Sequence, residues 1–205
     1  MKLYIYEHCP FSARVRFVAG MLGLKLEVET IDYDDDKTTT ELVGSKQVPV
    51  LVKDNGVAIA ESLDIIQYLL NLAGSAETNQ PANAVLEWQS SAFLPLQKIG
   101  YPRWSAMDLR EFRTDSAKRA WRAKKETEAL NFAALLADTA EIAKQVEVVI
   151  QNASELLKQP LTVVDQAVIF SILRGFFSAP QIQWENSVQA WMQFASEETT
   201  VSLLK

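Results

Sequence analysis

The sequence predicts an α/β half followed by an all-helical half, and three observations carry that reading. Short runs rich in β-branched and aromatic residues are confined to the first sixty or so positions. Between Leu72 and Pro81 the composition shifts to Ala, Gly, Ser, Asn and Pro, as in a linker. Beyond that stretch apolar residues recur only at helical spacing. The expected organisation is an α/β domain over residues 1–72 in the order βαβ-α-ββα, a linker over 73–82, and an all-α domain over 83–205.

Each element has a local reason. Lys2-Leu3-Tyr4-Ile5-Tyr6 reads as the first strand. Val15, Val18, Ala19 and Leu22 mark one face of the helix that follows, and Gly23 stops it. Leu26 to Ile31 reads as a second strand, in which Leu26, Val28 and Thr30 alternate with Glu27 and Glu29. Strand, helix, strand implies a parallel pair joined by a right-handed crossover. Asp32 to Asp36 reads as a solvated loop, since the run lacks the spaced ligands of a cation site. Thr38 to Val43 is a short helix ended by Gly44. Pro49 opens an apolar strand, where a missing N–H is tolerated. Gly56 turns the chain into Val57-Ala58-Ile59. Glu61-Ser62 then leads into a helix with Leu63, Ile66, Leu69 and Leu70 on its apolar side, and Ser62 suits a cap.

In the helical half, Asn83 to Gln97 reads as one helix and Tyr101-Pro102-Arg103 as a break. Asp115 to Ala137 reads as a single long helix whose Lys118, Arg119, Arg122, Lys124 and Lys125 form a solvated face. Ile142, Val146, Val149, Ala153 and Leu156 are a core stripe. Thr162 to Asp165 forms a capping box, a hydroxyl followed three residues later by a carboxylate. The run Ala167 to Leu173 is apolar all round and belongs at the centre of a bundle. Past Pro180, Val188, Trp191, Met192 and Ala195 define a last amphipathic helix.

Composition bounds the function. A net charge of −6 argues against nucleic-acid or anionic-membrane partners. The single cysteine, Cys9, rules out a disulfide framework or a multi-cysteine metal cage within one chain, and it suits a reducing compartment. No secretory signal is visible, and no apolar run approaches the ~20 residues that span a bilayer. A soluble, cytoplasmic protein with no metal is the expectation.

The chemistry centres on Cys9. Pro10 fits the first helical position, so Cys9 stands at a helix N-terminus. Free amides and the macrodipole there favour thiolate over thiol, and thiolate is the form that attacks disulfides. Ser12 occupies the place where a dithiol motif would carry its second sulfur. A one-thiol cycle remains, with the second thiol taken from solution, and glutathione is the abundant candidate. An extended edge beside Pro49 can pair with its peptide portion. The helix starting at Ser62 offers amides to a carboxylate, and Glu61 can receive an ammonium group, although plain capping explains both equally well. His8, the only histidine, reads as an exposed loop residue.

At these residues a family is recognisable. The chain resembles the bacterial glutaredoxins of glutathione-transferase fold, the glutaredoxin 2 type. The likeness rests on Lys2–Tyr6 with His8-Cys9-Pro10, Val43-Gly44 with Lys46-Gln47-Val48-Pro49, and Glu61-Ser62 with Asp64-Ile65. In the helical half it rests on Lys124-Lys125-Glu126, Asn131-Phe132-Ala133 and the Thr162–Asp165 box. The resemblance implies a thioredoxin-like N-terminal domain packed on the helical one, a cis Pro49, a Val48 backbone that pairs with glutathione, and Glu61 and Ser62 at its γ-glutamyl end. The family's Cys-Pro-Tyr-Cys is here Cys9-Pro10-Phe11-Ser12, which is similar to the motif of plant dehydroascorbate reductases. That departure points to deglutathionylation or dehydroascorbate-type reduction, with glutathione as co-substrate and glutathionylated proteins, small disulfides or electrophiles as partners. Two alternatives are a non-catalytic interaction protein of the same fold and a glutathione-ligated iron–sulfur carrier.

Overall fold

The computed structural model describes residues 1–205. The first half contains β1 (Lys2–Ile5), α1 (Pro10–Met21), β2 (Glu27–Thr30), α2 (Thr38–Val43), β3 (Val50–Val52), β4 (Ala58–Ile59) and α3 (Ser62–Leu72). The sheet order is β2-β1-β3-β4. β1 runs parallel to β2, with Leu3 opposite Val28, and antiparallel to β3, with Leu3 opposite Leu51. β3 and β4 pair antiparallel, with Leu51 opposite Ile59. Leu3, Ile5 and Leu51 are buried because β1 and β3 are the inner strands. The alternation in β2 suggested an inward face, yet Glu27, Val28 and Glu29 are all exposed. β2 is an edge strand, held by its ladder and by Lys2, which reaches Glu29 at 2.5 Å and Glu27 at 3.2 Å.

The second half is helical: α4 (Asn83–Trp104), α5 (Asp115–Lys125), α6 (Phe132–Ala137), α7 (Thr139–Leu157), α8 (Val163–Phe176) and α9 (Asn186–Thr199), with a 3-10 turn at Arg110–Phe112. Two expectations are corrected. The break at Tyr101-Pro102-Arg103 does not occur, and α4 runs through both Pro95 and Pro102 to Trp104. An interior proline costs about 3 kcal/mol in an isolated helix. Here Val85, Trp88, Ala92, Leu96, Ile99 and Trp104 keep one buried face across the whole length, and that packing outweighs the cost. Gly100 is required by the same face, since a Cβ there would lie 2.1 Å from Cζ2 of Trp104. Conversely, the single helix expected over Asp115–Ala137 is two. Glu126 leaves the helix with an extended backbone, pairs with Arg122 and accepts the Phe132 amide at 3.1 Å. Asn131 then caps α6 through the Ala134 amide at 2.9 Å.

α8 is the hub, with nearly every residue buried and α1, α4, α7 and α9 packed around it. Its capping box is present: Thr162 Oγ1 accepts the Asp165 amide, and Asp165 Oδ2 accepts the Thr162 amide. Asp165 Oδ1 also accepts the Ala82 amide at 2.7 Å, which ties the preceding segment to the hub. One hydrophobic cluster of 49 buried residues runs from Leu3 to Leu204, so the two halves share a core rather than meeting at a hinge. Near its end Arg174, 1% exposed, donates Nη1 to the Glu7 carbonyl at 2.8 Å and Nε and Nη2 to the Ser202 carbonyl at 3.0 and 2.8 Å. No helix is long and apolar enough to cross a membrane.

Candidate active site

Cys9 is the N-cap of α1 and Pro10 its first helical residue, so the strand–cysteine–proline–helix pattern forms as the sequence implies. The amides of Ser12 and Phe11 and the Ser12 hydroxyl point at the sulfur. Ser12 Oγ is buried and makes no hydrogen bond. Burial works against the thiolate expected at this position. Burial pushes the Cys9 thiol up from its ordinary value, against the Ser12 and Phe11 donors and the Arg14 guanidinium. Desolvation of the charged form outweighs the helix terminus.

Cys9 opens into a cavity of about 410 Å³ lined by Tyr6, His8, Pro10, Phe11, Tyr33, Gln47, Val48, Phe93, Leu96, Gln97, Tyr101, Trp104, Trp121, Lys124 and Lys125. A second cavity of about 620 Å³ is lined by Phe11, Arg14, Gln47, Val48, Pro49, Glu61, Ser62, Leu63, Asp64, Leu86 and Gln89. The two meet at Phe11, Gln47 and Val48. The Val48–Pro49 bond is cis. The structure therefore gathers Cys9, Pro10 and Val48 around the first cavity and Val48, Pro49, Glu61 and Ser62 around the second. Ser12 is buried and lines neither cavity. Capping does not explain Glu61 and Ser62: Glu61 is the N-cap of α3 by backbone position but makes no side-chain cap bond, and Ser62 is already helical. Glu61 sits at φ 63°, ψ 119°, a conformation an L-residue keeps only where its surroundings enforce it. The first amides of α3 are left free to meet an anion.

Several functional groups escaped the sequence. His8 is not an exposed loop residue; it is 7% exposed, and its Nδ1 lies 2.7 Å from Oε1 of Glu111, which also accepts the His8 amide at 2.9 Å. Tyr6, Tyr33, Trp104, Phe112 and Trp121 surround the imidazole at centroid distances of 4.7–6.1 Å. Burial lowers the His8 pKa against the pull of Glu111. Burial alone would raise Glu111, but the bonds from His8 outweigh it and hold that carboxyl below the usual range. At neutral pH the pair is a carboxylate beside a neutral imidazole. Lys125 departs from the solvated basic face: it is half-buried, and its ammonium lies 5.1 Å from the Tyr101 ring centroid at the cavity wall. Trp121, one turn earlier, was the available signal that this side of α5 faces inward. Arg14 is 3% exposed, donates to Gln89 at 2.6 Å, leaves Nε unpartnered, and has its pKa lowered to about 10 by burial.

The histidine–carboxylate pair makes stability sensitive to acid. His8 in the unfolded chain takes a proton near pH 6.5, whereas the folded site resists it to lower pH. Below about 6.5 the unfolded state binds more protons, so stability falls as pH drops, and Glu111 adds a further loss as pH falls through the carboxylate range. The urea midpoint is expected to decline from about pH 7 to about pH 5, and to decline less in His8→Asn. Parallel declines in the two proteins would refute this.

Comparison with known proteins agrees with this geometry. Residues 84–205 match the family model of the glutaredoxin 2 C-terminal domain, and residues 3–79 match that of the glutathione S-transferase N-terminal domain. Glutaredoxin 2 of Escherichia coli K12 is 32% identical over 210 residues, covering 100% of this chain and 98% of that protein. The crystal structure of glutaredoxin 2 from Salmonella typhimurium in complex with glutathione superposes with a TM-score of 0.91 at 30% identity, over 99% of this chain and 96% of that one. Gtt2 of Saccharomyces cerevisiae, at 15% identity and a TM-score of 0.62, shares the fold. With the family model spanning the helical half and full-length relatives on both measures, the chain belongs to the glutaredoxin 2 family.

Proposed function

We propose that this protein is a glutathione-dependent thiol–disulfide oxidoreductase that works with one protein thiol, in a reducing, cytoplasmic compartment. The observation that carries the reading is the placement of the Cys9 sulfur at a helix start beside two joined cavities, with Ser12 where a second sulfur would stand. In the first half-reaction the Cys9 thiolate attacks the glutathione sulfur of a mixed disulfide. A Cys9–glutathione disulfide forms and the other thiol leaves. In the second, a glutathione thiolate attacks that glutathionyl sulfur, oxidised glutathione departs and Cys9 is regenerated. Residues 1–72 form the glutathione-binding domain and residues 83–205 the helical wall, joined by the segment 73–82. The second cavity takes glutathione: the Val48 backbone pairs with its peptide portion, while the α3 amides from Ser62 onward and the Glu61 carboxylate receive its γ-glutamyl end. Arg14 supplies a buried positive charge to the same cavity. The first cavity, aromatic and edged by Lys124 and Lys125, takes the thiol partner, whether a glutathionylated protein or a small disulfide.

Turnover of the cysteine–glutathione mixed disulfide by reduced glutathione tests the reading, with a Cys9–glutathione adduct of the expected mass trapped when the second thiol is withheld. Absence of both adduct and turnover would overturn it. Because Ser12 stands beside the Cys9 thiol, Ser12→Cys is expected to add reduction of protein dithiol disulfides that the wild type lacks. Equal activity of the two proteins on such disulfides would show that position 12 does not reach the reacting sulfur.

A further inference from the structure

We infer that the first cavity selects a thiol partner bearing a carboxylate, a small mercapto acid held in mixed disulfide with glutathione, and that Lys125 is the residue that reads its negative charge. The inference rests on the thiol-exchange reading above and names the substrate class of that site.

The two cavities differ in charge. The second carries Glu61 and Asp64 beside Arg14. The first is lined by Lys124 and Lys125 and by no aspartate or glutamate, in a chain where acids outnumber bases. Lys124 is exposed and Lys125 half-buried. The Lys125 ammonium lies 5.1 Å from the Tyr101 ring centroid and 5.7 Å from that of Trp121. Ring faces hold a cation in place without neutralising it and without accepting its N–H donors as an oxygen would. Lys37, Lys46, Lys144 and Lys158 each pair with an aspartate or glutamate, whereas Lys125 pairs with none. The Tyr101 hydroxyl accepts Gln97 Nε2 at 3.2 Å, and burial raises its pKa, so it keeps a proton to donate. An anion entering here meets an ammonium and a hydroxyl donor among aromatic walls, where an ion pair is stronger than at the open surface.

Size narrows the class. A cavity of about 410 Å³ falls in the range of small-molecule pockets, about 300–1,000 Å³. The partner lies in this cavity, beside Cys9, while glutathione occupies the second. The Cys9 thiolate attacks the glutathionyl sulfur, the disulfide bond breaks, and the mercapto acid leaves as a thiolate with that electron pair. The second glutathione displaces Cys9, and its thiol proton ends on the released acid. The sum is mixed disulfide plus glutathione giving mercapto acid plus oxidised glutathione.

A lysine in the last turn of a helix can also serve only the carbonyl ends there, and substrate charge separates the two roles. Three mixed disulfides of glutathione are compared, with 3-mercaptopropionate, 2-mercaptoethanol and cysteamine, in wild type, Lys125→Met, Lys125→Arg and Lys125→Glu. The leaving groups are the same for every protein, so their intrinsic reactivities cancel between variants. The kcat/KM ratio of the mercaptopropionate to the mercaptoethanol disulfide is expected to fall about tenfold in Lys125→Met, which keeps an apolar stem of similar length, and to be retained in Lys125→Arg. In Lys125→Glu the ratio of the cysteamine to the mercaptoethanol disulfide is expected to rise about tenfold. Ratios equal in all four proteins, or a loss in Lys125→Met that is the same for all three substrates, would overturn the role of Lys125; if Lys125→Glu does not fold, the Met and Arg variants decide. A wild type that turns over none of the three would instead overturn the exchange reading beneath it.

Discussion

Cys9→Ser is expected to lower turnover of a glutathione mixed disulfide by more than about 1000-fold, because removal of a covalent nucleophile leaves only binding and positioning. The hydroxyl is a far weaker nucleophile than a thiol, and no other cysteine exists to substitute for it. The lesion should be confined to chemistry. Apart from the Ser12 and Phe11 donors that face its sulfur, Cys9 is held only through its backbone, its amide donating to the Tyr6 carbonyl at 3.2 Å and its carbonyl accepting the Ala13 amide at 3.0 Å. The second cavity does not include it. Glutathione affinity, followed by tryptophan fluorescence or calorimetry, is therefore expected to change little while the rate collapses. Retention of more than a few per cent of the rate would show that the sulfur is not the attacking atom.

Trp121→Ala is expected to cost about 3–5 kcal/mol of stability, the range for deleting a large buried aromatic side chain. Trp121 is 1% exposed and stands edge-on to His8 at 4.7 Å, to Tyr33 and Tyr101 at 5.1 Å, and to Phe112 at 5.3 Å. Its indole N–H also donates to the Tyr101 carbonyl at 2.9 Å, so the substitution orphans a polar group as it opens a void. For a chain of this length the melting temperature should fall by about 10 °C or more. A second consequence separates this site from an ordinary core position. Water admitted through the gap restores solvation to His8, whose pKa should rise toward its ordinary value, visible as a shift of its imidazole resonance on titration. A drop in melting temperature of only a degree or two would show that the aromatic wall is loosely packed.

What the sequence disclosed was what is local. Pro10 at the first turn of α1, the Thr162–Asp165 box and the apolar stripe of α7 depend on neighbours within a few residues, and all three appear in place. Where tertiary packing overrides local preference, the sequence misled. Pro102 reads as a stop, yet the buried face from Val85 to Trp104 carries α4 past it. Thr127 and Asn131 were visible cap residues inside the supposed long helix, and their side-chain bonds to Leu130 and Ala134 mark its break. The His8–Glu111 pair had no legible signal at all. Its members are 103 residues apart, and Glu111 lies in a three-residue turn too short for any periodicity. The pull of burial on the Cys9 thiol was illegible for a related reason. The dipole of α1 is written in the residues around it, but desolvation is set by distant ones such as Phe93 and Trp104.

Arg174 gives the order of synthesis a consequence for reactivity. The loop before the nucleophile is gripped at the Glu7 carbonyl by a guanidinium encoded 167 positions later, and at the His8 ring by a carboxylate encoded 103 positions later. The nucleophile leaves the ribosome well before Arg174, and its loop acquires its final shape only when α8 has emerged and docked. A nascent chain halted before α8 carries the sulfur without the clamp that aims it.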